Sequence, residues 1–124
     1  MIAAPHSGAG KTSVTLGLLR ALRRRGIAVG SAKAGPDYID PAFHADASGA
    51  PCVNLDPWAM RPGLLAGLAA EARGTDGLVV EAMMGLFDGA ADGSGSAADL
   101  AARLGVKIGR VVDGPRQSHS LAAL

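Results

Sequence analysis

Met1-Ile2-Ala3-Ala4-Pro5-His6-Ser7-Gly8-Ala9-Gly10-Lys11-Thr12 opens the chain, and the reading of this stretch decides the fold. A short apolar run enters a loop of small residues, and a helix is expected to start at Gly10-Lys11-Thr12. Strand, small-residue loop and helix in that order make a phosphate-binding loop. Small residues let consecutive backbone N–H groups face a polyphosphate, and the helix N-terminus adds partial positive charge. In such a loop Lys11 reaches the terminal phosphates and the Thr12 hydroxyl ligates magnesium. One position departs from the pattern G-x-x-x-x-G-K-[ST], which has Gly where this chain has Pro5.

Working outward, residues 11–25 read as a helix, with Val14, Leu18, Ala21 and Leu22 on the face expected to meet the core. Arg20, Arg23, Arg24 and Arg25 crowd its C-terminal end as a solvated, dipole-favouring cluster, and Gly26 stops it. Residues 27–33 form a second strand. It runs into Gly35-Pro36-Asp37-Tyr38-Ile39-Asp40-Pro41, whose two prolines and carboxylates predict a structured, ligand-facing turn. A short helical turn is expected near residues 41–47. Asn54-Leu55-Asp56-Pro57-Trp58 reads as another turn, with Trp58 as a packing anchor.

Pro62 suits a first helical position, and Leu64, Leu65, Leu68 and Ala72 mark a helix that ends at Gly74. Leu78-Val79-Val80-Glu81 is a buried-type strand ending in a carboxylate. In a sheet that carries a phosphate loop, that is where magnesium or its bound water is held. After Met83-Met84-Gly85-Leu86-Phe87-Asp88-Gly89 and a loose stretch over 90–95, Ser96 and Asp99 form a helix-start capping arrangement. Leu100 and Leu104 carry that helix to Gly105. Residues 106–113 are read as a last strand, although Lys107, Gly109 and Arg110 stand where a buried apolar run is expected. Gly114-Pro115 then turns toward a further helix.

Composition narrows the class. Hydrophobic residues make up 48% of the 124 but aromatics only 3%, so the core must be built from Ala, Val, Leu and Ile. The 18 glycines suggest loops that approach a ligand closely. Twelve basic against eleven acidic side chains, net +1, give no nucleic-acid-binding balance and no membrane-surface patch. The lone Cys52 staples nothing, and no metal-type Cys/His spacing occurs. No signal-length or membrane-spanning apolar run is present, so a cytoplasmic location is the expectation.

Helices alternating with four expected strands predict an α/β fold, a mainly parallel sheet with flanking helices, in a single P-loop nucleotide-binding domain over 1–124. With so short a first strand and so open an end, the chain is expected to be the N-terminal part of a larger domain. An unpaired sheet edge offers a place for a second copy.

Lys33-Ala34-Gly35-Pro36-Asp37-Tyr38-Ile39-Asp40-Pro41, followed by Asn54-Leu55-Asp56-Pro57-Trp58 and by Glu81-Ala82-Met83-Met84-Gly85-Leu86-Phe87-Asp88-Gly89, makes the likeness specific. With the phosphate loop, these segments resemble, in order and spacing, the N-terminal synthetase domain of cobyrinic and hydrogenobyrinic acid a,c-diamide synthases. That family has a dethiobiotin-synthetase-like P-loop fold and tolerates a non-glycine at Pro5. The resemblance implies ATP and Mg2+ as cofactors, and a ligase of cobalamin biosynthesis. Such an enzyme phosphorylates the a- and c-side-chain carboxylates of a corrinoid as acyl phosphates for amidation. The ammonia comes free or from a glutaminase domain or chain, and no such glutaminase domain lies within these residues.

By the resemblance, Ser7, Gly8, Ala9, Gly10, Lys11, Thr12 and Ser13 hold the nucleotide, and Thr12, Asp37 and Glu81 the metal. Lys11, Asp37, Glu81 and Asp88 are the catalytic positions, Asp88 through the phosphorylated intermediate. Tyr38, Ile39 and Asp40 lie near the substrate. Two departures stand out. Ala82 replaces a glycine, so its Cβ is expected to crowd a backbone that approaches phosphate or takes positive φ. The stretch Gly95-Ser96-Ala97-Ala98-Asp99 loses a hydroxyl. Other readings are an amidoligase for another tetrapyrrole, such as a nickel-sirohydrochlorin, and a non-catalytic nucleotide-binding fragment. A partitioning-type ATPase is a third, against which stands His6 in place of that class's signature lysine. A dethiobiotin-synthetase-like enzyme shares the strategy but is not expected to carry Gly35–Pro41 in this form.

Overall fold

The alternating pattern closes into one five-stranded sheet in the computed structural model, which describes residues 1–74, 76–115 and 117–123. In chain order the elements are β1 (Ile2–Ala3), α1 (Lys11–Arg24), β2 (Val29–Ala34), α2 (Asp40–Ser48), β3 (Cys52–Leu55), α3 (Pro62–Ala72), β4 (Gly77–Glu81), α4 (Ala97–Leu104) and β5 (Gly109–Arg110). The strand order is β3-β2-β4-β1-β5, and every pairing is parallel. Parallel neighbours need crossovers, and the helices supply them on the two faces. No helix among the described residues is long and apolar enough to cross a membrane.

The two faces of the sheet differ in chemistry because β2, Val-Gly-Ser-Ala-Lys-Ala, alternates small apolar with polar side chains. Ala32 and Ala34 join Leu55 and Val80 to meet Leu65 and Ala69 of α3 and Leu100 of α4, and this is the main apolar core. Ser31, Lys33 and Glu81 face the other way, toward α1 and α2, where Thr15 and His44 are also fully buried. Register makes the second layer possible. Lys33 of β2 lies opposite Glu81 of β4, so their side chains meet on one face.

That polar layer explains a correction to α1. Its sheet-facing residues are Lys11, Thr15 and Leu19, at i, i+4 and i+8, whereas Val14, Leu18 and Ala21 of the expected apolar face point outward and Leu22 is half-buried. Lys11 must turn toward the phosphate loop, and the residues one and two turns on are carried inward with it. In α3, Leu65 and Ala69 are buried and Leu64 is exposed.

Other expectations move at the edges. Four strands become five, because Cys52–Leu55, partly read as a turn, pairs with β2 from Ser31 to Ala34. The turn begins only at Asp56, and Trp58 does not anchor packing. Asp56 Oδ1 accepts hydrogen bonds from Trp58 N at 2.9 Å and Ala59 N at 3.1 Å, which holds the turn while the indole stays in solvent. The helical turn near 41–47 is a nine-residue helix, α2. The last strand contracts to two exposed residues, Gly109 and Arg110, as Lys107 and Arg110 remain at the surface. It is followed by a short 3-10 helix, His119–Ala123. The expected capping box is present, with Ser96 Oγ accepting from Asp99 N at 3.1 Å and Asp99 Oδ2 from Ser96 N at 3.0 Å.

The end of α3 approaches β2 so closely that a Cβ on Gly30 would fall 1.5 Å from Ala72 O. Backbone gives way poorly, so Gly30→Ala is expected to cost more than about 2 kcal/mol. Thermal unfolding should show a Tm lower by roughly 10 °C.

Candidate functional site

Helix α1 begins without a side-chain cap, and Gly8 and Gly10 of the preceding loop take φ of 81° and 91°. Nothing lies within 4 Å of a Cβ added at either glycine, so the need for glycine is conformational. The uncapped amides at this helix start are the donors an anion would use. The Lys11 ammonium is drawn back over the loop, donating to His6 O at 3.2 Å and Met84 O at 2.7 Å. Burial pushes its pKa down, and the neighbouring Lys33 charge adds to that.

Glu81, at the C-terminal end of β4, is the centre of the site and is fully buried. Its Oε1 accepts from Thr12 Oγ1 at 2.6 Å and Lys33 Nζ at 2.8 Å, and its Oε2 lies 2.7 Å from His44 Nε2. Asp40 Oδ2 takes a second Lys33 bond at 2.6 Å and lies 3.3 Å from Thr12 Oγ1. A hydroxyl has one proton, so the nearer Glu81 oxygen receives it. Asp37 Oδ1 accepts from Ile39 N at 2.8 Å and Asp40 N at 3.0 Å, shaping the start of α2, and its Oδ2 lies 3.7 Å from Lys33.

These contacts set the charges. Burial pushes the Glu81 carboxyl up, but hydrogen bonds from His44, Lys33 and Thr12 outweigh it and bring its pKa to about 2. Burial pushes His44 down, and its contacts with Cys52 and Glu81 outweigh that and raise it to about 9. Desolvation lowers Lys33, and its bonds to Asp40 and Glu81 reverse the sign, so its pKa is raised. Asp37 is lowered because the Ile39 and Asp40 amides overcome its burial.

The residues expected from sequence largely converge. Ser7, Gly8, Gly10, Lys11, Thr12, Ser13, Asp37, Asp40 and Glu81 line one cavity of about 320 Å³. Ala9, within the loop, is buried, and Tyr38 and Ile39 are exposed just past Asp37. Asp40, expected beside the substrate, bonds Lys33 and stands near Thr12. Asp88 lies apart from this cavity, with Oδ2 accepting from Gly85 N at 2.8 Å, and lines an adjoining apolar cavity. Ala82 does not crowd the site. It is fully buried against Ala3, Leu86 and Ala97, and the positive φ of this loop falls on Met84, at 53°.

Lys33 and His44 are the polar members missing from the sequence-based set. One signal for Lys33 is a cation one residue before the end of β2, where β4 ends in an anion. For His44 it is the Asp40–His44 spacing, which puts both on one face of α2.

The donors fit a magnesium-bound polyphosphate. They are oxygens of Thr12, Asp40 and Glu81 beside a glycine turn of uncapped amides. Among the described residues no group of three or more His, Cys, Asp or Glu side chains could hold a metal. Magnesium in nucleotide sites takes one or two carboxylates and completes its shell with water and phosphate.

The model of the CobQ/CobB/MinD/ParA nucleotide-binding domain matches residues 1–117. The chain is 68% identical over 125 residues to hydrogenobyrinate a,c-diamide synthase of Rhizobium meliloti (strain 1021). It is 66% identical over 125 residues to the protein of that name from Sinorhizobium sp, and 64% over 126 residues to that of Brucella suis biovar 1 (strain 1330). All of this chain is covered in each comparison, and it spans 29% of the length of each relative.

The ionised His44–Glu81 pair makes stability depend on pH in two directions. Glu81, depressed from 4.5 to about 2, contributes stability that is present above about pH 4.5 and lost as pH falls through about 2. His44, raised from 6.5 to about 9, contributes stability that is present below about pH 6.5 and lost as pH rises through about 9. His44→Gln keeps a donor for Glu81 but no charge. Urea titrations from pH 6 to 9.5 should show a loss of roughly 2 kcal/mol at pH 6 and a flatter alkaline decline than in the parent chain. Parallel pH profiles would refute the pairing.

Proposed function

The chain belongs to the CobQ/CobB/MinD/ParA nucleotide-binding domain family, and from that membership we propose that it is the ATP-binding, carboxylate-activating part of a hydrogenobyrinate a,c-diamide synthase. The observation that carries this reading is the convergence of Lys11, Thr12, Lys33, Asp40 and Glu81 on one cavity beside a glycine turn. Such a set suits phosphoryl transfer, which depends on positioning and charge neutralisation more than on covalent chemistry by the protein.

A carboxylate is a poor electrophile because its oxygen leaves badly. In the proposed reaction a substrate carboxylate oxygen attacks the terminal phosphorus of ATP and ADP departs. Ammonia then attacks the acyl carbon, phosphate leaves with the electron pair of its bond to that carbon, and the nitrogen loses a proton to solvent to give the amide. The α1 amides and Lys11 hold the triphosphate, and Lys33 adds positive charge beside the three carboxylates. Thr12, Asp37 and Glu81, with Asp40 beside them, would hold magnesium, and Asp37 also shapes the loop that carries Asp40. Bound magnesium supplies charge neutralisation on the phosphate oxygens. Asp88, in the adjoining cavity with one oxygen on the Gly85 amide, is the carboxylate we assign to the phosphorylated intermediate, on the resemblance alone.

Calorimetric titration of the chain with magnesium and ATP tests the nucleotide half of this reading. Lys11→Ala removes the cation aimed at the terminal phosphates and is expected to weaken binding at least about 100-fold, given roughly 1.5–3 kcal/mol for each charge-assisted bond. Unchanged ATP affinity in that variant would sink the phosphate-loop assignment. With ammonia and hydrogenobyrinic acid, inorganic phosphate released in step with amide is the result that supports acyl-phosphate activation.

A further inference from the structure

All four aromatic side chains of the chain are exposed: Tyr38 at 87%, Phe43 at 57%, Trp58 at 70% and Phe87 at 77%. Aromatic rings are ordinarily the largest apolar groups a small core would bury. Three of the four, Tyr38, Trp58 and Phe87, stand on the loops that follow β2, β3 and β4, at the same end of the sheet as the phosphate cavity. Phe43 lies elsewhere, over a groove with Leu16 and Gly17.

Trp58 borders a second cavity of about 260 Å³, whose walls include Pro36, Pro57, Met83, Met84 and Ala97. The walls are mostly apolar, and Met83 and Met84 belong to the phosphate cavity as well, so the two hollows adjoin. Two glycines let the backbone pass close behind this wall. A Cβ on Gly35 would lie 2.6 Å from Met83 Sδ, and one on Gly95 would lie 2.7 Å from Trp58 Cβ. The two acids at the rim are already engaged: Asp56 Oδ1 accepts from the Trp58 and Ala59 amides, and Asp88 Oδ2 from that of Gly85.

We propose that this cavity is the docking subsite for the substrate's macrocycle, with Trp58 lying against an apolar edge or face of a corrinoid ring. It rests on the activation reading above and names where the substrate sits. A planar apolar ring bearing carboxylate arms matches the arrangement. Its edge enters between Trp58 and Met83, and one arm crosses the Met83–Met84 boundary toward the terminal phosphate. A cavity of this size takes one edge and leaves the rest of the ring over the exposed aromatic rim. Trp58 acts by binding and sets specificity for a ring over a chain-like acid.

The test uses hydrogenobyrinic acid as probe, titrated calorimetrically into the chain with magnesium and a non-hydrolysable ATP analogue. Trp58 is the only tryptophan, so its emission is followed in the same samples. Trp58→Ala is expected to weaken macrocycle binding about tenfold with nucleotide affinity unchanged, Trp58→Phe to restore most of it, and Phe43→Ala to alter neither. Quenching of the tryptophan emission should saturate at the same concentration as the heat. Equal macrocycle affinity for Trp58→Ala and the parent chain overturns the subsite and leaves the activation reading standing. Absence of macrocycle binding to the nucleotide-loaded parent chain overturns that reading, and this inference with it.

Discussion

A carboxylate buried at the end of a parallel strand is costly unless it is paired and hydrogen-bonded, and the rest of this structure is arranged around meeting that condition for Glu81. Three elements answer it. β2 supplies Lys33 by register, α1 supplies Thr12 one residue past the phosphate-loop lysine, and α2 supplies His44 from the far side. The positions of all three elements relative to β4 are therefore constrained by one functional group. Replacing the network with apolar residues of similar volume is often neutral or stabilising in proteins. Stability alone does not call for it, and its retention here fits a site that must present oxygen ligands and cations together.

This requirement divides the fold into two halves with different physics. On the α3 and α4 side the sheet meets the helices through Ala32, Ala34, Leu65, Ala69 and Leu100, and small residues let backbones approach, as at Gly30. On the α1 and α2 side the buried groups are Lys33, Glu81, His44, Thr15 and Ser31. Two of these, Thr15 Oγ1 and Ser31 Oγ, have no hydrogen-bond partner among the described residues, whereas Glu81 Oε1 has two and Oε2 one. Hydrogen-bonding capacity in this layer is concentrated at the end where the phosphate cavity opens.

Much of this was legible in the sequence, for reasons that differ from element to element. The phosphate loop, the Glu81 strand end and the Ser96–Asp99 box are local signals, each complete within about ten residues. The outward turn of Val14 and Leu18 was not legible, because it follows from the polarity of a sheet face assembled from β2 and β4, which lie far apart in the chain. β3 was hidden because only four residues pair, and its final residues Asn54 and Leu55 border the Asp56-Pro57 turn. Asn54 also donates to Gly35 O at 2.8 Å and Asp37 O at 2.6 Å, tying the strand to the loop that follows β2, a link no spacing rule contains. Asp40 reads as a loop acid in sequence, and only the start of α2 turns it onto Lys33.

The Lys11–Met84 bond couples the two cavities. Met84 takes φ of 53°, a region costly for a side chain with a Cβ, and its carbonyl is the nearer of the two acceptors on the Lys11 ammonium. An ammonium carries three protons, and His6 O and Met84 O account for two. One donor therefore stands available to an incoming phosphate without either loop having to move. Recruiting a second donor means giving up a carbonyl, and the weaker bond, His6 O at 3.2 Å, is the easier to exchange. The loop bordering both cavities is tied through the Met84 bond to Lys11, the residue proposed to meet the terminal phosphate, so the wall between the two cavities is fastened to the phosphate loop itself.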